Sequence, residues 1–511
     1  MPPTSGFQLA TNTFTYYSSM RTIRLFCTTI AFTLFAIMTY AQPRLTVVVV
    51  VDGMTYEDLN TLSTYWQSGG LKQLYEEAYQ TTARFNHQVY GGQETMATLM
   101  TGTSPYHHSI MADKYYDRSQ QEDKIKTILY DNKVSGIGTT LHLSPQTLLA
   151  TTLTDEWRMV YGSGAKIYAV GLNPYSTILM AGHTANACCW LDGSTYKWAT
   201  TSYYPEGLPT AADEMNVGGK INHQLSGDWK PRMNISAYPI PIDAKSRQTF
   251  SFGKKANLLQ TPIANSLVIE MALALQKQQK LGSDAAHDLL LLQLNTMSPD
   301  AESDMVTTTA QADLFLGIND DLGKMIKQLN MSIGRDHYQI LLVGRPIKGY
   351  CTKTMKQYNM PIEYFNVDRA AALTAAYLMA IHGHERWIEG SHGPFIYLNR
   401  MLIEKKGLSL EMFQRQVANF IMEFEGVQVA YPIHEAIISD DNVSVFHKYA
   451  GDVYFKLLNN WILATNEVEI FDNVIQTNPV IPVLFWTNQM TYFPEQQMDV
   501  TEIKSLISPM K

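Results

Sequence analysis

The chain has 511 residues, 45% of them hydrophobic and 17% charged, with a formal net charge of −8 at pH 7. Those proportions describe an ordinary globular protein with a sizeable core, arranged as one large α/β domain with insertions or as two domains. The negative balance offers no basic stripe, so a nucleic-acid partner is not expected.

The first readable segment is at the N-terminus. Met20-Arg21-Thr22-Ile23-Arg24 is a short basic start, Leu25 to Met38 is an apolar run, and Thr39-Tyr40-Ala41 is a small-residue site before Gln42. That order is the order of a secretory signal peptide, and the apolar run is short for a membrane span. Residues 1–41 therefore read as an upstream extension plus signal, with Met20 as the start and 42–511 as the mature domain. An uncleaved anchor is the alternative. Cleavage would leave no transmembrane span. It would also leave Cys188, Cys189 and Cys351. One bridge from Cys351 to either neighbour and three buried thiols both remain open, because adjacent cysteines rarely pair with each other.

Leu45 to Val51 is an almost unbroken β-branched run that closes on Asp52-Gly53. Such a run reads as a strand buried on both faces, as in a parallel sheet covered by helices. Similar short runs recur at Lys166–Val170, Leu289–Leu294, Gln339–Val343 and Val480–Trp486. Between them, Thr261-Pro262 reads as a cap followed by Pro at the first helical position, opening a helix to about Lys280. Residues 368–381, rich in Ala and Leu, predict another. Strands alternating with helices predict an α/β sheet whose ligands sit at the C-terminal ends of its strands. The stretch from about 184 to 250, rich in Tyr, Trp, Gly and Pro, reads as a cap or insertion where loops predominate.

Several segments together resemble the periplasmic phosphate-insensitive alkaline phosphatases of Gram-negative bacteria, in the phosphodiesterase/nucleotide pyrophosphatase branch of the alkaline phosphatase superfamily. They include Val49-Val50-Val51-Asp52-Gly53-Met54, Met100-Thr101-Gly102-Thr103-Ser104-Pro105 and Leu148-Leu149-Ala150-Thr151-Thr152-Leu153-Thr154-Asp155-Glu156. Ala181-Gly182-His183-Thr184-Ala185-Asn186-Ala187, Thr261-Pro262-Ile263-Ala264-Asn265 and Gly451-Asp452-Val453 follow in the same order. The resemblance implies an alkaline-phosphatase-like three-layer sandwich, with a mostly parallel central sheet covered by helices. It also implies export to the periplasm or cell envelope, and in active relatives two zinc ions. In those relatives a Thr at a helix N-terminus attacks phosphorus, and Asp and His at the strand ends hold the metals.

Carried over position by position, that chemistry thins out. Asp52 matches the first aspartate ligand. The nucleophile falls on Gly92, in Gly92-Gln93-Glu94-Thr95-Met96, and glycine has no hydroxyl to ionise. Thr95 reads as a residue of the first helical turn. The phosphate-contacting Asn falls on Asp113, whose carboxylate would repel a phosphoryl dianion. The Lys and Arg that clamp phosphate fall on Asn173 and Tyr175. Asp300 and Asp304 have the spacing of the next ligand pair if a small insertion is allowed, and Ser298 and Glu302 take it otherwise. Two such carboxylates suit a hard divalent cation better than zinc. The strand Gln339–Val343 leads to Gly344-Arg345 where the resemblance implies an Asp-His pair, and Asp336-His337 lies before that strand, at its wrong end. No His lies between Asp452 and Val480, where the last ligand belongs.

His183 reads as a structural hydrogen-bonding residue. His107-His108 and His382-x-His384 have metal-compatible spacings that arise easily among thirteen histidines. The sequence therefore predicts an exported, catalytically inactive relative. It has no catalytic residue, vestigial metal positions at Asp52, Asp300 and Asp304, and no cofactor beyond a residual divalent cation. The partner is a protein or a small ligand in the old cleft. A phosphomonoesterase or phosphodiesterase with a rearranged site is the alternative.

Overall fold

Leu45–Asp52 forms strand β1, buried at every position, in a computed structural model. The structure describes residues 43–87, 89, 92–225, 229–238, 258–297, 309–345, 359, 361–435, 448–458, 460–465, 480–488, 493–494 and 496–510. The leader segment 1–42, Cys351, and the pair Asp300 and Asp304 lie outside them.

The remaining strands follow in chain order: β2 (Tyr79–Arg84), β3 (Lys114–Tyr116), β4 (Ile125–Thr127), β5 (Gly136–Ile137), β6 (Ile167–Gly171), β7 (Ala187–Leu191), β8 (Trp198–Thr201) and β9 (Asp288–Asn295). Then come β10 (Tyr338–Arg345), β11 (Glu363–Asn366), β12 (Ile388–His392), β13 (Phe395–Leu398), β14 (Val427–Pro432), β15 (Val453–Leu457), β16 (Trp461–Ala464), β17 (Val480–Trp486) and β18 (Met498–Asp499). One 10-stranded sheet has the order β18-β2-β17-β10-β1-β9-β6-β7-β8-β5. Its inner block, β10-β1-β9-β6-β7, is parallel throughout, and β17 and β8 pair antiparallel on either side of it.

The apolar run of β1 explains the layering. Side chains alternate across a strand. Val47, Val49 and Val51 enter one core, together with Val268 and Ala272 of the helix Pro262–Gln279 and Phe315 and Leu322 of the helix Thr309–Ser332. Val48 and Val50 enter the opposite core, with Met96 of the helix Gly92–Thr101, Trp157 of Leu153–Tyr161 and Ile178 of Pro174–Ala181. A strand apolar on both faces is stable only between two helical layers. The alkaline-phosphatase-like three-layer architecture follows. The runs expected as strands appear as β1, β6, β9, β10 and β17, and the helices expected near 262–280 and 368–381 span Pro262–Gln279 and Val367–His382.

The stretch expected as a loop-rich insertion, about 184–250, is different. It supplies β7 and β8 to the central sheet, and every residue of both is buried. Cys188 and Cys189 are free thiols on β7, one facing each core. The sequence misleads here because five-residue strands such as Ala187–Leu191 are too short to show a period. Residues 229–238 also have a fixed seat. Asp313, 1% exposed, accepts from Trp229 Nε1 at 2.6 Å, from the Tyr238 hydroxyl at 2.7 Å and from the Arg232 backbone N–H at 2.7 Å.

A separate layer is built later in the chain, around the Gly451-Asp452-Val453 motif. β12-β13-β15-β14 form a four-stranded sheet with its own core, in which Phe365, Trp387, Phe413, Val417 and Phe455 meet. Its anchor is Asp452, fully buried, which accepts from Arg400 Nε at 2.6 Å, Leu398 N at 2.6 Å, Gln414 Nε2 at 3.1 Å and Arg118 Nη2. Arg118 follows β3, so this carboxylate fastens the small sheet to the β3–β4 arm.

Candidate active-site cleft

The parallel register of β10, β1 and β9 sets Asp52 beside Arg345 on one strand and Asn295 on the other. All three residues close the C-terminal ends of their strands, the end at which open α/β sheets bind ligands. Gly53 turns the chain immediately after Asp52 with φ +79°, and a Cβ there would come within 2.9 Å of Thr296 Oγ1. Thr296 in turn donates its backbone N–H and its hydroxyl to Asp52 O, at 2.9 and 2.7 Å. The Val-Asp-Gly sequence thus holds the Asp52 backbone while its carboxylate projects beyond the strand end toward Arg345 and Gln293.

A guanidinium meets that carboxylate. Arg345 Nε lies 2.6 Å from Asp52 Oδ1 and Nη2 lies 2.5 Å from Oδ2. The pair is a two-pronged fork between residues 1% and 2% exposed. The remaining donors of Arg345 reach Gly92 O, the Ser176 hydroxyl at 3.0 Å and, at the long distance of 3.5 Å, Thr95 Oγ1. Gln293 of β9 adds its Nε2 to Asp52 Oδ2 at 2.6 Å. Its Oε1 accepts the backbone N–H groups of Leu172 and Asn173, just beyond β6, at 2.7 and 2.8 Å. Gly171 permits that approach, because a Cβ there would stand 2.8 Å from Gln293 Oε1.

The positions implied by resemblance gather around this pair, with other duties. Gly92 opens the helix Gly92–Thr101 and gives its carbonyl to Arg345. Thr95, 0% exposed, donates its hydroxyl to that same carbonyl at 2.6 Å. Asp113 Oδ1 accepts the backbone N–H of Gln93 at 3.2 Å, so a side chain of the protein already faces the N-terminus of the helix. Burial pushes the Asp113 carboxyl above its usual range, and the Gln93 bond and the charge of Arg345 oppose that rise. Asn173 caps the helix Pro174–Ala181 by accepting from Ser176 N at 3.0 Å. Tyr175 is half-buried beside Asp113, and burial and then that carboxylate raise its phenol.

The other histidines are dispersed. His183 Nδ1 pairs with Asp155 Oδ2 at 2.7 Å and its Nε2 donates to Leu148 O at 3.0 Å, a structural role. His108 is buried, accepts from Ile110 N at 3.1 Å and meets Thr98 Oγ1 at 3.1 Å. His382 bonds Gln416. His337 lies at the other end of β10, where its Nδ1 bonds Ile333 O at 2.8 Å. Among the described residues no group of three or more His, Cys, Asp or Glu stands together as a cation site.

Residues 46–344 match the family model of type I phosphodiesterase / nucleotide pyrophosphatase. The chain belongs to this family. It is 24% identical over 395 residues to the alkaline phosphatase PafA of Elizabethkingia meningoseptica, across 72% of this chain and 71% of that one. With the alkaline phosphatase PhoV of Synechococcus elongatus it shares 26% identity over 329 residues, across 60% of this chain and 59% of that one. The crystal structure of wild-type PafA superposes with a TM-score of 0.78 at 21% identity, covering 90% of this chain and 94% of that one. The fold is therefore that of this family member, and the resemblance drawn from the sequence motifs is correct at that level.

Zinc is the cofactor that alkaline phosphatase relatives imply, and the residues at Asp52 do not fit it. A zinc ligand must offer a lone pair, and four ligands surround the ion. Both oxygens of Asp52 instead face a guanidinium, which carries donors only. Two members of the network, Gln293 and Ser176, were not picked out from the sequence. The visible signal for Gln293 was a lone polar residue inside the apolar run Leu289–Leu294. Ser176 had none.

Proposed function

We propose that this protein is an exported, non-catalytic member of the family, retained as a scaffold that binds a protein partner or a small ligand at the old cleft. The observation that carries the reading is the Arg345 fork on Asp52. A fixed positive charge in contact with both carboxylate oxygens competes directly with a metal ion for the same lone pairs. Gly92 at the nucleophile position and a carboxylate at Asp113 support the same conclusion. A two-metal phosphoryl transfer depends on nucleophile, metals and clamp together, so losing several of them leaves little acceleration. Export rests on the basic, apolar and small-residue order of Met20 to Ala41. No helix among the described residues is long and apolar enough to cross a membrane.

Family membership favours a second reading, a metal-dependent phosphomonoesterase or phosphodiesterase with a site rearranged around Asp52, Thr95, Asp300 and Asp304. Against it, the Thr95 hydroxyl is buried and already donates to Gly92 O. Dialysis of the purified protein against zinc, followed by metal analysis, separates the two. The non-catalytic reading expects no retained zinc. One or two ions per chain, lost in Asp52→Ala, would establish the second reading instead.

A further inference from the structure

The misfit between zinc and this cleft has a positive counterpart. We propose that the guanidinium of Arg345 is a built-in structural cation, performing from within the chain the cross-linking task that a bound metal performs at a set of strand ends. The inference rests on the reading above only in requiring that Asp52 hold no metal.

The geometry supports this in three ways. Arg345 is 1% exposed, so the cost of burying its guanidinium is offset only by the acceptors that surround it. Those acceptors come from separate segments: Asp52 at the end of β1, Gly92 at the start of one helix, and Ser176 in the first turn of another. Through Asp52 the network then reaches Gln293 of β9 and, through Gln293, the turn after β6. One planar cation with several fixed donors thus ties together the ends of β1, β9 and β10, the β6 turn and two helix N-termini. Lysine lacks the fork, and a compact ammonium cannot span both Asp52 oxygens while reaching Gly92 and Ser176.

A structural cation can be removed and supplied again. Arg345→Gly leaves a cavity of guanidinium shape beside the carboxylate of Asp52. The variant is expected to lose several degrees in Tm, and millimolar guanidinium chloride is expected to restore part of that loss. The same salt should leave the wild type unmoved or slightly less stable, and sodium chloride should restore nothing. Equal melting of variant and wild type, or no difference in their response to guanidinium, would overturn the proposal. Should Arg345→Gly fail to fold, the pair Arg345→Met and Asp52→Leu gives the answer. Each single change strands a buried charge or acceptor, so the double variant is expected to melt above either single one. Additive losses would refute the coupling. Zinc content of the wild type is measured separately, so failure of this inference and failure of the non-catalytic reading give different results.

Discussion

Asp113 Oδ1 accepts the backbone N–H of Gln93 at 3.2 Å, so the N-terminus of the helix Gly92–Thr101 faces a carboxylate supplied by the protein itself. Helix N-termini attract anions through their free N–H groups and dipole. Here the attraction is spent internally, and the fixed negative charge repels a second anion. Inorganic phosphate is therefore expected not to raise the Tm of the wild type. The folded-state pKa of Asp113 is raised, first by burial, so its contribution to stability is full below its ordinary value of 3.8 and is lost as pH rises through the folded value. Asp113→Asn keeps an acceptor for Gln93 without the charge. It is expected to stabilise by about 1 kcal/mol at pH 7 and by less as pH falls toward 3.8. Thermal melts over that range check the sign. A destabilised variant at pH 7 would show that the carboxylate is needed in its charged form.

His183 and Asp155 form a titrating pair, at 2.7 Å. The hydrogen bond that His183 donates to Asp155 raises the His183 pKa above 6.5. Burial alone would push Asp155 up, but His183 and the N–H groups around Thr152 together bring it below 3.8. The histidine contribution is full below pH 6.5 and is lost as pH rises through its raised value. The aspartate contribution is full above pH 3.8 and is lost as pH falls through its lowered value. The pair is thus strongest between those limits. His183→Gln is expected to cost about 1–2 kcal/mol at pH 5 and clearly less at pH 9, compared by urea denaturation.

His108 behaves in the opposite sense. Burial first, and then the charges of His87 and His107, lower its pKa to about 3. The Ile110 N–H bond to Nδ1 fixes the neutral ring with its proton on Nε2, toward Thr98. A depressed histidine favours folding above its ordinary value of 6.5, and that contribution falls away as pH drops toward 3. Each pH unit in that interval is worth about 1.4 kcal/mol for a single group. His108→Gln should flatten the acid limb of the stability curve while lowering stability at pH 7. An unchanged acid limb would mean that other groups govern acid unfolding.

Asp452 is the polar residue on which the small sheet depends most. It is fully buried and accepts from two arginines, a glutamine and a backbone N–H. Removing one partner from a buried ionic cluster leaves the others unpaired, at a cost of about 3–5 kcal/mol. Asp452→Ala is expected to fall in that range, with faster amide exchange in β13 and β15. Arg400, whose side chain is 41% exposed, should cost only about 1 kcal/mol when changed to Ala. Similar losses in both variants would contradict this ranking.

Much of the fold was legible because the central strands are apolar on both faces. Runs such as Leu45–Val51 and Leu289–Leu294 admit few alternatives once a turn signal such as Asp52-Gly53 follows. β7 and β8 were misjudged because burial in a sheet of this kind replaces alternation, leaving Ala187–Leu191 and Trp198–Thr201 without a readable period. Of the small sheet at 388–457 only the Gly451-Asp452-Val453 motif was legible; its pairing was not, because its strands are short and its anchor, Asp452, acts through partners distant in sequence. At the site, the position of Arg345 was readable but its partner was not. Sequence showed an arginine where the resemblance implies an Asp-His pair, whereas the neutralising contact with Asp52 arises from strand register across nearly three hundred residues.

If Arg345 and Asp52 satisfy each other, as proposed, no phosphoryl-transfer centre remains at these strand ends. The most direct measurement is hydrolysis of p-nitrophenyl phosphate and bis-p-nitrophenyl phosphate by the purified protein with added zinc, alongside Asp52→Ala and Arg345→Met. No turnover above background is expected for any of the three. Turnover by the wild type that disappears in Asp52→Ala would contradict this reading and restore a working metal centre to this cleft.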